Sequence, residues 1–338
     1  MNIFVCPTNK SFMPYVDLYE DVTDKVFLVW DRFGEEKESK NNLIYRDGRK
    51  GHRRNIINYV FFAIFVIGFI VKNVNKDDRV IIFTPQLFFF IWPFLVIKGN
   101  YALDYRDYHF LTKLIPSFSL RKASFIAISS PAYRTLFPCR SNVVLSHNYK
   151  RIIPKQDYGI PVNPYSISCI GAIRDFGPNS EIIKELCNRD EYKLFFHGRG
   201  VAEVDLKEFS DDIGAENVYF TGYYDKNEEC NLYKSASLIN LLRFSDGYND
   251  RVALPNRLYN SAQYKRPILC YHGTLLAEYV ERYSLGVCLE KGDDFSSSIK
   301  KYFDTFSIVK FESDTERFLA DVEREQEEFK VNYSGFFN

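Results

Sequence analysis

The chain has 338 residues, with 44 Lys and Arg balanced by 44 Asp and Glu, and seven cysteines. That length exceeds one ordinary core and suits two domains of about 150 to 170 residues each. The cysteines are odd in number, scattered and mostly set in apolar runs, with no CxxC and no Cys/His spacing for zinc, which excludes a disulfide scaffold and points to a reduced, cytosolic protein. Met1 leads directly into a strand-like NIFVC, so no signal peptide is expected. Overall neutrality hides a split. Residues 1 to 156 carry 23 Lys and Arg against 13 Asp and Glu, a net of +10, and the remainder carries −10. The first part therefore either faces an anionic surface or attracts the second.

In chain order, apolar runs at 2–6, 25–30, 79–84, 100–105, 124–129 and 142–147 lack polar alternation, the signature of strands buried on both faces. Helical segments separate them, so a parallel sheet wrapped by helices is expected. Within this part, RDGRKGHRRNIINYVFFAIFVIGFIVKN places Arg46, Arg49, Lys50, Arg53 and Arg54 ahead of Val60 to Val71, a run of 12 residues without a polar side chain. A bilayer span needs about 20 such residues. The segment reads either as a buried helix or as one lying in a membrane interface with its basic cluster on headgroups. LFFFIWPFLVI (87–97) is a second apolar helix.

Residues 148–164, rich in Pro, charge and turn formers, form the expected linker. The pattern then restarts, with strands at 165–171, 192–198, 217–222, 237–242, 266–271 and 285–290 and helices between them. The expected organisation is a Rossmann-like domain over 1–152, a second doubly wound domain over 165–311, and a charged amphipathic helix and tail over 312–338, started by Ser313 and packed across the junction.

Ligands of such sheets bind at the carboxyl ends of the strands. There, GAIRDFGPNSEIIKEL offers Gly171 for a close turn and Arg174. LPNRLYNSAQYKRPILC offers Pro255 and Asn256 as helix starters followed by Arg257. A cation at a helix N-terminus is disfavoured by the dipole unless an anion binds, so Arg257 reads as a phosphate ligand or as a solvated surface residue. Two arginines and helix amides suit a diphosphate. His197, Gly198 and Gly200, and Gly222 with Tyr223, sit at two more strand ends, where glycine lets a base or ribose approach, or simply makes a turn. Ser245, Asp246, Gly247, Asp250 and Arg251 form a polar loop suited to sugar hydroxyls. In the first domain, Asp104, Arg106, Asp107 and His109 end a strand, either to align an acceptor hydroxyl or as a salt-bridged terminus.

Over residues 100 to 310 the chain resembles GT-B glycosyltransferases, most like glycosyltransferase family 4 and its relatives in bacterial capsule and O-antigen assembly. DYRD, KASFIAISSPAY, IGAIRDFGPNSEIIKEL, NVYFTGYYDKNEECNLYKSASL and LPNRLYNSAQYKRPILC carry the resemblance, the last matching P-N-K-L-x-E-Y-x-x-x-x-K-P-I. It implies two Rossmann-like domains facing a cleft. Arg174 and Arg257, with Asn256, would lie on the donor diphosphate, and His197 to Gly200 and 222–224 near the nucleotide. Ser245 to Arg251 would meet the sugar, and Arg106, Asp107 and His109 the acceptor. It implies no cofactor and no metal, so KDDR at 76–79, SDD at 210–212 and GDD at 292–294 read as solvated turns. The family's glutamate falls at Asn260, and Val252, eight residues earlier, is not acidic either.

The expected activity is sugar transfer from a nucleotide diphosphate sugar to a saccharide or polyprenyl-diphosphate-linked acceptor, peripheral at the inner face of the cell membrane and with an anionic membrane surface rather than nucleic acid as partner. Alternatives are a catalytically silent GT-B assembly subunit, favoured by Asn260, and an inverting transferase with Asp107 as base.

Overall fold

The computed structural model describes residues 1–51, 53–151, 159–161 and 164–338. Residues 152–158 and 162–163 of the expected linker lie outside the described residues. The chain divides into two compact units, Met1–Asn148 with Glu323–Asn338, and Tyr149–Val322.

Unit 1 is built on β1 (Asn2–Cys6), β2 (Lys25–Trp30), β3 (Asn42–Tyr45), β4 (Arg79–Ile82), β5 (Tyr101–Tyr105), β6 (Ile126–Ile128) and β7 (Val143–Leu145). All pair in parallel, in the order β3-β2-β1-β4-β5-β6-β7. The helices α1 (Ile56–Asn73), α2 (Pro85–Lys98) and α3 (Ser117–Lys122) accompany this sheet. Unit 2 holds β8 (Tyr165–Ile170), β9 (Tyr192–His197), β10 (Val218–Gly222), β11 (Leu238–Asn240), β12 (Ile268–Tyr271) and β13 (Gly286–Leu289), again all parallel, in the order β10-β9-β8-β11-β12-β13. Its helices are α4 (Phe176–Leu186), α5 (Glu203–Asp212), α6 (Glu229–Lys234), α7 (Tyr248–Val252), α8 (Asn256–Gln263), α9 (Leu275–Arg282) and α10 (Phe295–Asp304). A final helix, α11 (Ile308–Phe337), gives Phe318 and Val322 to the core of unit 2 and Phe329, Tyr333 and Phe336 to that of unit 1.

The all-apolar strands have the expected consequence. Ile268 and Cys270 of β12 enter the core on one sheet face while Leu269 and Tyr271 enter the core on the other, so alternate side chains serve two layers.

Four sequence expectations change. β3 was not expected, because NLIY is only four residues long and follows the polar stretch DRFGEEKESK. Ser313 lies inside α11 rather than at its start, since the helix already begins at Ile308. Ser210 to Asp212 close α5 and are no turn, and Asp78 is buried against the N-terminal ammonium at 2.6 Å. The apolar segment forms a helix of 18 residues, long and apolar enough to cross a membrane by length and composition. Asn58, Phe62, Ala63, Val66 and Ile70 bury one stripe of it, while Ile57, Phe61, Ile64 and Val71 stay exposed on another. Asn55 and Asn58 cap its start reciprocally at 3.1 and 3.2 Å.

The loops after β1 and β2 are organised by Asp31. Its carboxylate accepts from Asn9 Nδ2 at 2.8 Å, the Gly34 amide at 2.7 Å and Arg46 Nε at 2.9 Å. Burial alone raises a carboxyl pKa, but here these donors, with the Phe33 amide, hold it down at about 2. A group depressed in the fold contributes stability above its unfolded pKa and loses it as pH falls through the folded one. Acid unfolding between about pH 4 and pH 2 should therefore lose on the order of 2 kcal/mol from Asp31. Denaturant melts of Asp31→Asn over that range should show a flatter acid limb than the parent, and an identical limb would remove Asp31 from the acid response.

Candidate functional site

In the second sheet the strand order reverses between β8 and β11, the point at which doubly wound sheets open a crevice. The backbone there is packed closely. Gly171 (φ +105°) donates its amide to the His197 carbonyl at 2.8 Å, and a Cβ on Gly198 would lie 2.2 Å from the Gly171 oxygen. A Cβ on Gly200 would lie 2.0 Å from the Ile173 oxygen. Gly198 and Gly200 are thus required by strand-end packing, the turn alternative of the two readings the sequence leaves open. His197 belongs to the same layer: it is buried, its Nδ1 pairs with Thr221 Oγ1 at 2.9 Å, and burial lowers its pKa, which keeps it neutral at pH 7. Gly198, Gly222 and His197 do not line the pocket, and Tyr223 is 82% exposed.

The pocket is framed by Cys169 at the end of β8 with Ala172 and Arg174 just after it, Asn240 and Arg243 at β11, and Pro255 and Arg257 at α8. Arg257 and Arg174 thus share one cavity, as the strand-end reasoning expects. The Arg257 guanidinium is anchored across two strand ends, donating to the Ala172 carbonyl at 3.1 Å, the Asn240 carbonyl at 3.4 Å and Cys169 Sγ at 3.1 Å. Arg174 is exposed and has no ion pair or hydrogen bond among the described residues. A third arginine, Arg243, which the strand-end reasoning does not single out, lines the same pocket. It lies 3.5 Å from Asp175 and 3.7 Å from Asp250, both of which line the pocket. Its position directly after the apolar SLINLL run was the available signal. Three arginines against two aspartates leave one positive charge in excess.

Other assignments shift. Pro255 is the N-cap of α8, and Asn256 is already helical with an exposed side chain, so its amide does not cap the helix as expected. In the 245–251 loop only Asp250 lines the pocket. Asp250 Oδ2 accepts from the Gly247 amide at 3.2 Å, and Arg251 folds back on the carbonyls of Ser245 and Asp246 at 3.2 and 3.4 Å. Those contacts hold the loop's shape. Asn260 is half-buried and outside the lining.

In unit 1, Arg106 and Asp104 form a buried ion pair at the end of β5. Tyr19 donates to Asp104 at 2.7 Å, and Arg106 spends its remaining donors on the Ser146 carbonyl (2.9 Å), Ser146 Oγ (3.0 Å) and Asn148 (3.1 Å). This is the salt-bridged strand end, and it corrects Arg106 as a group facing an acceptor. Asp107 is exposed. His109 Nδ1 accepts from the Leu111 amide at 3.4 Å and burial lowers the ring's pKa, an arrangement that leaves the neutral ring's proton on Nε2.

No protein-family model matches the chain, and no curated protein matches it by sequence. Solved structures do. The Anabaena protein HepE in complex with UDP and glucose superposes with TM-score 0.67 at 13% identity, over 99% of both chains. The lipopolysaccharide outer core galactosyltransferase WaaB, apo form, gives 0.67 at 12% over 99% of both. Sucrose-phosphate synthase from Thermosynechococcus elongatus gives 0.72 at 11%, over 100% of this chain and 99% of that one. At such identities the likeness carries the fold, and the fold is the two-domain, Rossmann-like GT-B fold.

Removing one partner of a buried, hydrogen-bonded pair strands the other charge and costs about 3 to 5 kcal/mol. Arg106→Ala should lower the unfolding free energy by that amount in equilibrium denaturation. A variant as stable as the parent would contradict the structural role.

Proposed function

We propose that the chain is a glycosyltransferase, moving a sugar from a nucleoside diphosphate sugar to a saccharide or lipid-linked acceptor in the synthesis of a bacterial surface polysaccharide. The observation that carries the reading is the cationic pocket at the β8/β11 reversal, which Arg174 and Arg257 both line beside the start of α8. A pyrophosphate matches such a site in charge and in its demand for forked donors. HepE, of the same fold, binds UDP-glucose.

In the reaction, the bond from the sugar's anomeric carbon to the diphosphate breaks, and the acceptor oxygen bonds to that carbon. The electron pair leaves on the diphosphate, where the two guanidinium groups stabilise the growing charge, and the acceptor proton passes to a base. Neutralisation by arginine makes the reading independent of a metal. Asp107 is the base if the product is inverted, which anomer analysis of the product decides. A second reading, a silent assembly subunit, draws on Asn260 and Val252 standing where the resembled family has acids. Release of free sugar or of transfer product by the purified chain contradicts it.

Arg174 supports nothing else in the fold, so its removal isolates the ligand interaction. Arg174→Ala should weaken binding of whichever of UDP, GDP or ADP the parent takes by roughly tenfold to a hundredfold, the range for a charged hydrogen bond, with an unchanged melting temperature. Unaltered affinity in calorimetric titration removes the diphosphate assignment.

The reading also places the chain on the cytoplasmic leaflet through α1. Arg46 and Arg54 of the basic cluster are taken by Asp31 and Asp47. Arg49, Lys50 and Arg53 are exposed and without an ion pair among the described residues. They suit anionic headgroups, and Ile57, Phe61 and Ile64 suit the acyl boundary. Replacing those three with serine should reduce cosedimentation with phosphatidylglycerol vesicles at least tenfold, given about 1.5 to 3 kcal/mol per buried side chain. A parent protein that stays in the supernatant refutes membrane attachment.

A further inference from the structure

Although the linear spacing of its cysteines and histidines announces no metal site, the fold of unit 2 assembles one candidate from three separate elements. Cys270 and Cys288 are register partners on the neighbouring parallel strands β12 and β13, and their sulfurs are 3.5 Å apart on one face of the sheet. His272 follows Cys270 by two residues, with its amide on the Leu289 carbonyl at 2.9 Å. Helix α9 packs over β13, with the Ala277 carbonyl 3.7 Å from Cys288 Sγ. From the same helix, Glu281 brings its carboxylate to 3.5 Å from His272 Nδ1. The imidazole nitrogen, the carboxylate oxygen and the Cys288 sulfur all lie within 4.8 Å of one another.

Tetrahedral zinc, with bonds of about 2.3 Å to sulfur and about 2.0 Å to nitrogen or oxygen, sets neighbouring ligand atoms about 3.3 to 3.8 Å apart. The His272–Glu281 separation of 3.5 Å already has that length. Thiolate, imidazole and carboxylate together select a borderline ion of the zinc class over magnesium or calcium, which take oxygen alone. His272 and Cys288 are half-buried and Glu281 is exposed, so an ion has a path in and the site needs no buried charge while empty.

We propose that His272, Glu281 and Cys288 bind a divalent zinc-class cation, with the Cys270 thiol beside them. Binding displaces the Cys288 proton, and one thiolate and one carboxylate balance the ion's charge. None of the three ligands lines the pocket, so the ion ties β12, β13 and α9 together rather than taking part in transfer. Thr274 and Leu276, which do line the pocket, belong to the segment being tied.

The test is titration of the reduced, chelator-stripped, full-length chain with Co2+ and then Zn2+. A single Co2+ should give a thiolate charge-transfer band and the strong visible bands of four-coordinate cobalt, displaced by Zn2+ with a rise in melting temperature. His272→Ala and Glu281→Gln, at positions open enough to keep the fold, should each weaken Zn2+ binding at least tenfold. Cys288→Ser should abolish the charge-transfer band, and Cys139→Ser, at an exposed thiol elsewhere, should leave it intact. The absence of a cobalt band with reduced thiols, its loss in Cys139→Ser, or unchanged zinc affinity in both His272→Ala and Glu281→Gln overturns the site.

Discussion

The anchoring of Arg257 across the ends of β8 and β11 is the interaction on which the functional reading rests. Its hydrogen-bond partners are the carbonyls of Ala172 and Asn240 and the Cys169 sulfur. Such partners satisfy N–H geometry and fix the guanidinium plane, but they carry no formal negative charge. The nearby carboxylates, Asp175 and Asp250, are drawn to Arg243 instead. The result is a crevice of net positive charge with one guanidinium fixed in place, a preorganised feature of the kind that anion recognition and stabilisation of a leaving diphosphate require.

A contrast within the molecule sharpens the point. The end of β5 in unit 1 also carries an arginine, yet Arg106 is buried, paired with Asp104 and surrounded by acceptors from Ser146 and Asn148. That charge is internally neutralised and serves the fold. In unit 2 the corresponding feature stays open. The charge of a strand-end arginine is therefore neutralised within the fold or left open according to whether a carboxylate meets it, and sequence alone lists candidates without pairing them.

Much of the architecture was legible because strands buried on both faces are apolar throughout, whatever their neighbours. Twelve of the thirteen strands among the described residues carry such apolar runs, the edge strand β10 being only half-buried, while β3 is too short and too polar in its approach to do so. Arg174 and Arg257 were legible as strand-end and helix-start cations. The roles of Gly198, Gly200 and His197 were not, because they depend on a distance between two backbones that only the folded sheet sets. Arg243 was hidden by lying inside an apolar-to-polar transition, and His272, Glu281 and Cys288 by coming from two strand ends and a helix. Local pattern reports which residues are inside. It does not report which side chains from distant segments meet.

The most direct measurement compares the affinity of the intact chain for a nucleoside diphosphate and for the matching monophosphate, across UDP/UMP, GDP/GMP and ADP/AMP, at low and high salt. If the arginine crevice recognises a pyrophosphate, one diphosphate binds at least about tenfold more tightly than its monophosphate, and the difference narrows as salt rises. Equal affinities for both members of every pair, or an advantage indifferent to salt, would contradict the account.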